Sequence, residues 1–156
     1  MTVSRFSKTL LICTLLAMWS TTMACGESLF RIGHGERHLS YQAPLPGSIL
    51  IVAPNQAAQP LADALAASGH SVRLVGSVSE LGAELANRQF DIVLALFSER
   101  QLVEAEMIAS TARFLPIASV DERRAAREMY TKAVTSNDSL KRYLRTIHWM
   151  LKEARA

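Results

Sequence analysis

Three consecutive polar residues, Ser98, Glu99 and Arg100, follow the apolar stretch 91–97 directly and are the side chains best suited to hold a small ligand. Asn55, Ser77 and Ser119 follow three other apolar stretches in the same way. Parallel strands end at a common edge, where such sheets bind ligands, so these six residues are predicted to line one crevice. Ser77 and Ser98 each precede a Glu or Gln by three residues, and helix capping alone explains that spacing better than a ligand does.

Motifs of known catalytic chemistry are missing from the chain. It has no Gly-rich phosphate loop, no Cys-x-x-Cys pair and no Gly-x-Ser-x-Gly turn. His34 and His38 have a spacing that suits a metal only in a helix, and Gly33 and Gly35 disfavour a helix there. We therefore predict no catalytic residue, no metal and no cofactor, and a binding protein is favoured over an enzyme.

The last predicted helix carries a second candidate surface, formed by Arg142, Arg145 and Trp149. At helical spacing they lie away from the apolar face that begins at Leu140. An exposed Trp beside arginines would be a hot spot for a protein partner or an anionic membrane. The alternative is that the segment before the sheet covers Trp149, and the sequence leaves the two interpretations even.

The first two dozen residues have the order of a secretory signal. Arg5 and Lys8 precede the apolar stretch 10–19, and small residues lead to Cys25. We predict a signal peptide over 1–24 and an exported, periplasmic protein. Cys25 is also a candidate for lipidation, so the protein would touch a membrane only through a lipid there or through an uncleaved signal.

Charge and composition limit the kinds of partner. The chain has 156 residues, 17 basic and 14 acidic, and 49% are hydrophobic. Because Arg5 and Lys8 lie in the signal, the remainder has 15 basic and 14 acidic side chains. A nearly neutral globular domain gives no argument for nucleic-acid binding, and none is predicted.

Apolar stretches and helical stretches alternate after residue 46. The predicted strands are 48–53, 71–75, 91–97 and 114–119, with a fifth, very short strand around 131–134 left open. The predicted helices are 60–68, 77–87, 98–112, 121–130 and 139–153. This alternation predicts an α/β domain over 47–156, with a four- or five-stranded parallel sheet in three layers and a long C-terminal helix. Residues 25–46 form a lead-in that could contain a hairpin.

Several stretches resemble the receiver domain of bacterial response regulators over about 47–152. Ile49–Val52 resembles the first receiver strand, 69–72 the approach to the second, 90–96 the third and 115–117 the fourth. The resemblance implies a receiver-like fold and also allows a homodimer through an edge strand or helix face. It would match Ser119 and Lys132 to the receiver's hydroxyl and lysine.

The acidic residues of receiver chemistry are absent at the matching positions. Ala53 and Pro54 stand where the resemblance implies a Mg²⁺-binding acidic pair, and Leu96 stands at the phosphorylated Asp. Leu is no nucleophile, and Ala and Pro side chains offer no oxygen ligand. We therefore expect an exported, non-catalytic domain for protein interaction or small-ligand sensing in the bacterial envelope, not a phosphorelay receiver. The alternative is a small periplasmic enzyme with its site around 98–100.

Overall fold

The computed structural model describes residues 43–156. The predicted signal peptide, Cys25, the His34–His38 pair and the lead-in hairpin lie outside the described residues. Within 43–156, no helix is long and apolar enough to cross a membrane.

The sheet has five parallel strands, which confirms the predicted α/β class and decides for five strands over four. They are β1 (Ser48–Val52), β2 (Ser71–Val75), β3 (Ile92–Leu96), β4 (Arg113–Ala118) and β5 (Val134–Thr135). Their order is β2-β1-β3-β4-β5, as in flavodoxin-like folds. The strand order reverses between β1 and β3, so the natural crevice of this fold lies there.

Five helices cover the two faces of the sheet. They are α1 (Asn55–Ala67), α2 (Val78–Asn87), α3 (Arg100–Met107), α4 (Arg123–Met129) and α5 (Leu140–Ala154). Apolar side chains of α1 and α5 share one core cluster with alternate residues of the central strands. The opposite residues of those strands pack with α2 and α3, and Ala126 of α4 packs with Phe97 and Ala118. The result is the predicted three-layer arrangement.

Burial on both faces explains the composition of β1 and β3. Four of the five residues of each strand are buried, and the two strands are neighbours in the middle of the sheet. A strand covered on both faces must be apolar at every position instead of alternating. The short, wholly apolar runs in the sequence therefore identified the centre of the sheet.

Polar groups fix the amino-terminal edge of the sheet. His70 is buried, and its Nδ1 accepts a hydrogen bond from the Gly47 N–H at 3.2 Å. The Asp91 carboxylate accepts the Ser48 N–H at 2.7 Å. Burial lowers the pKa of His70. His70 thus lies at the end of the sheet opposite the crevice, where its contact with Gly47 is structural.

The bounds of three helices differ from the prediction, and the third covers only Arg100–Met107 instead of 98–112. The first begins at Asn55, five residues before Pro60, which the sequence interpretation had taken as its start. The fourth covers only Arg123–Met129 instead of 121–130. Proline in a second helical turn removes one hydrogen bond, and Pro60 is on the exposed side of α1, where water can replace it.

Pro116 explains why β5 has only two residues. β5 pairs with β4 through Ile117↔Val134 and Ala118↔Thr135. In this register, the next rung would need Pro116 to donate to the carbonyl of Lys132, and proline has no N–H. The ladder therefore stops, and residues 131–133 run beside β4 outside any strand.

Candidate functional site

The six crevice residues do follow the carboxyl ends of the first four strands. Asn55 is the first residue of α1, after β1, and Ser77 directly precedes α2, after β2. The Ser77 hydroxyl bonds the Glu80 carboxylate at 3.2 Å and the Ser79 hydroxyl at 2.8 Å. Glu80 also accepts the Gly76 N–H at 3.3 Å. Ser77 caps no backbone N–H, and Glu80 accepts the N–H of Gly76 and not that of Ser77, so the predicted capping box is not formed.

Ser98, Glu99 and Arg100 occupy a different local structure from the predicted capped helix. Phe97–Glu99 form a single 3-10 turn, and α3 begins only at Arg100, so the predicted capping by Ser98 is wrong. The Arg100 guanidinium donates to the Phe97 carbonyl at 3.2 Å and lies 4.5 Å from the centre of the Phe97 ring. Arg100 is thereby held against its own turn.

Ser119 is paired with Glu122 in its own loop. Its hydroxyl donates to the Glu122 carboxylate at 2.8 Å, and its N–H donates to the same oxygen at 3.0 Å. The Glu122 N–H donates back to the Ser119 hydroxyl at 3.3 Å. This reciprocal pair precedes α4, and it is the capping-box spacing that the sequence interpretation overlooked.

The crevice therefore gathers polar side chains at one edge without directing them to a common point. Each hydrogen bond described for Ser77, Arg100 and Ser119 stays within its own loop. In the described range 43–156, no three His, Cys, Asp or Glu side chains are grouped so as to hold a metal ion. This arrangement gives no support to acid–base or nucleophilic chemistry around 98–100.

A second concave surface lies between α4 and α5, beside the short strand β5. We call it the basic groove, and it encloses about 430 Å³. Its cationic side chains are Arg127 of α4, Lys132 of the α4–β5 connection, and Arg142 and Arg145 of α5. A smaller depression of about 230 Å³, the aromatic end, shares Tyr130, Thr131 and Lys132 with it. The aromatic end is lined further by Phe114, Trp149 and Met150, with Arg113 and Glu153 at its rim.

Tyr130 fixes the floor between the two depressions. Its ring stands edge-on to Phe97, with centroids 6.1 Å apart, and to Phe114, with centroids 5.4 Å apart. Its hydroxyl donates to the carboxylate of Glu104 on α3. Burial and the contact with Glu104 raise the pKa of Tyr130 to about 12. These contacts hold the connection from α4 to β5 in place, and with it Thr131 and Lys132.

Helix α5 supplies one wall of the basic groove, because Arg142, Arg145, Thr146 and Trp149 share one face at helical spacing. The Arg142 guanidinium pairs with Asp138 at 3.0 Å. Arg145 is exposed, and neither it nor Arg127 makes an ion pair with another described residue. The groove therefore presents two guanidinium groups whose charge is not already neutralised by the described part of the chain.

Trp149 is half-buried. The segment that the alternative interpretation placed over it lies outside the described residues. Trp149 packs against the core cluster shared by α1 and α5. The Lys132 ammonium lies 3.5 Å from its ring centre. Lys132 lies before β5, at the amino-terminal end of that strand. It is not at the crevice, where the receiver resemblance would place this lysine. The three predicted surface residues, Arg142, Arg145 and Trp149, do line adjoining depressions.

Sequence reasoning did not find Arg127, Tyr130 or Phe114 as members of this surface. They come from α4, the α4–β5 connection and β4, and only the tertiary fold brings them beside α5. The sequence did contain one signal for this surface. Between Arg127 and Arg145, basic residues occur on both sides of the expected short strand.

No protein-family model matches the chain, and no curated protein matches it. The function must therefore be argued from the surfaces described above.

Proposed function

We propose that this protein is an exported, non-catalytic binding domain of the bacterial envelope that recognises an acidic protein partner through the basic groove. The observation that carries the proposal is the convergence of Arg127, Lys132, Arg142 and Arg145 on one concave surface. Arginines and aromatic residues are the side chains most often found at the centres of protein interfaces. The crevice offers no comparable convergence.

Electrostatics favours a localised acidic partner over a generally anionic surface. Outside the predicted signal the chain is almost neutral, and acidic side chains such as Asp138 and Glu153 border the two depressions. These carboxylates confine the unpaired positive charge to the groove between α4 and α5, so a partner must present its negative charge there. A partner whose carboxylates enter between α4 and α5 meets Arg127 and Arg145 first. Complementary charges of this kind govern partner choice and association rate.

Site-directed photocrosslinking in the producing bacterium tests the proposal. A photoreactive residue at Thr131, which lines the groove, should give a covalent adduct with a distinct envelope protein. The matched control is the same residue at Gln101, which is exposed on α3 and lines neither depression. Adducts from Gln101 and none from Thr131 would contradict the proposal.

The compartment is tested separately by mass spectrometry of the protein isolated from the envelope fraction. The proposal expects an amino terminus at Cys25, and a diacylglycerol-sized addition there would establish a lipid anchor. An intact chain beginning at Met1 and confined to the cytosol would contradict export.

A further inference from the structure

We propose that the basic groove binds its partner as an extended peptide strand, with a carboxylate and an apolar side chain two residues apart. This inference rests on the function proposed above and adds the mode of recognition. It starts from the open edge of the sheet. In the described residues, the backbone N–H and C=O of Ala133 form no hydrogen bond. Ala133 also lines the groove.

The direction of these two groups follows from the neighbouring pairs. Val134 pairs with β4, and the Ser136 N–H donates to the Ala118 carbonyl, so the even-numbered residues face β4. Backbone groups alternate along an extended chain, so Ala133 and Thr135 direct theirs away from the sheet. Those of Thr135 are already satisfied by Asp138, at 2.8 Å, and by the Tyr143 hydroxyl, at 3.0 Å. Of these two residues, only Ala133 has a backbone N–H and C=O that can pair with an added strand.

The directions of the side chains decide which residues of the protein an added strand would contact. Ala133 packs with the cluster under α4, whereas Val134 packs with the cluster under α5. The partner residue opposite Ala133 directs its side chain the same way as Ala133, and its two neighbours direct theirs towards α5. On α5, Arg145 and Trp149 are four residues apart, about 6 Å along the axis. Residues i and i+2 of an extended strand are about 6.6 Å apart.

The residues of the groove decide which side chain of the partner strand lies at Arg145 and which lies at Trp149. Arg145 and Arg127 take a carboxylate, which a guanidinium binds in a fixed geometry. The aromatic end, with Phe114, Trp149 and Met150, takes an apolar side chain. The partner segment is therefore an acidic residue and an apolar residue separated by one residue.

Tryptophan fluorescence gives a direct assay. Trp19 and Trp149 are the two tryptophans, so a Trp19→Phe full-length protein reports on Trp149 alone. The probe is the capped peptide Ser-Glu-Ser-Leu-Ser-Glu-Ser, which presents the spacing in either direction. The control peptide Glu-Glu-Ser-Ser-Leu-Ser-Ser has the same composition with Leu three and four residues from the carboxylates. We expect saturable binding of the first and about tenfold weaker binding of the second.

Two further variants separate backbone pairing from charge. N-methylation of the four central residues Ser-Leu-Ser-Glu removes the donors that would pair with the Ala133 carbonyl in either strand direction, and should weaken binding about tenfold. Arg145→Gln should weaken it similarly, whereas Arg88→Gln, at the exposed end of α2 and outside both depressions, should not.

The possible outcomes separate binding as an extended strand from the proposed binding of an acidic partner. Equal binding of both peptides, with both weakened by Arg145→Gln, would overturn the strand mode and leave an acidic-partner groove standing. Binding of neither peptide would overturn the mode, and the photocrosslinking experiment would still decide the function. Binding to phosphatidylglycerol vesicles without binding to either peptide would overturn both in favour of a membrane surface.

Discussion

The ammonium nitrogen of Lys132 lies 3.5 Å from the ring centroid of Trp149, which joins the α4–β5 connection to the last helix. Because β5 is limited to two residues, few backbone hydrogen bonds anchor this connection. The stacked pair and the Tyr130 ring contacts replace those bonds.

Replacing Lys132 by Gln should lower stability modestly, because it removes a cation–π contact at a partly exposed site. The expected loss is about 0.5–1 kcal/mol in the free energy of unfolding. Urea denaturation of the Trp19→Phe protein measures it through the Trp149 emission. Lys141→Gln, an exposed change elsewhere on α5, is the control and should be neutral. An equal loss in both variants would contradict a specific contact with Trp149.

Tyr143→Phe should destabilise the protein by about 0.5–1.5 kcal/mol, because it removes a buried hydrogen bond to the Thr135 carbonyl, which keeps the Asp138 N–H as its other donor. The Tyr143 hydroxyl is buried and donates to the Thr135 carbonyl at 3.0 Å. Tyr130→Phe is the matched control, since its hydroxyl bonds Glu104 at the surface, and should cost less than about 1 kcal/mol. Thermal and urea unfolding compare the two. A larger loss from Tyr130→Phe would refute this ranking of the two hydroxyls.

Two glycines should respond to alanine in opposite directions. A Cβ on Gly47 would lie 2.8 Å from both terminal methyl carbons of Leu151, which is packed in the core. Gly47→Ala should therefore cost about 1–3 kcal/mol through overpacking. A Cβ on Gly82 would meet only the carboxylate of the exposed Glu106, which can rotate away. Gly82→Ala in helix α2 should stabilise by about 0.5–1 kcal/mol. Calorimetry that gives the same sign for both variants would rule out this explanation.

Stability should fall as the pH drops below about 6.5, because of His70. Burial lowers the folded pKa of His70 from 6.5, so the unfolded chain takes up the proton first. The contribution of neutral His70 is therefore complete above pH 6.5 and is lost as the pH falls towards the folded pKa. Protonation would also remove the acceptor for the Gly47 N–H.

The His70→Asn protein tests this assignment, since its amide oxygen can accept the Gly47 N–H and does not titrate. Its melting temperature should depend less on pH between 7.5 and 5 than that of the wild type. Identical pH profiles for the two proteins would exclude His70 as the cause.

The sequence predicted the sheet better than the helix starts, for a physical reason. Strands such as β1 and β3 are buried on both faces, so every position is apolar and the signal is continuous. The beginning of α1 depended on Pro60, which favours a first turn but is accommodated here in the second. Ser98 has capping spacing, yet its residues form a 3-10 turn that places Arg100 on Phe97.

The candidate groove was only partly predictable. Arg142, Arg145 and Trp149 share a helix, so periodicity alone put them on one surface. Arg127 and Phe114 join them through the packing of α4 and β4 around Tyr130, and no local pattern encodes that packing. Lys132 was assigned by resemblance to a lysine at the crevice. β5 begins only at Val134, because Pro116 has no N–H to donate to the preceding part of the chain. Lys132 therefore lies outside the strand, beside Trp149.

The central claim is that the charge of the basic groove, and not the overall charge of the chain, selects the partner. The most direct measurement is the yield of the Thr131 photocrosslink in two variants of equal net charge. Arg127→Gln/Arg145→Gln removes the two groove guanidiniums that have no described ion pair, and Arg123→Gln/Arg124→Gln removes two on α4 outside the groove. We predict that the first variant loses the adduct and the second keeps it at the wild-type yield. Equal yields in the two variants would contradict the claim.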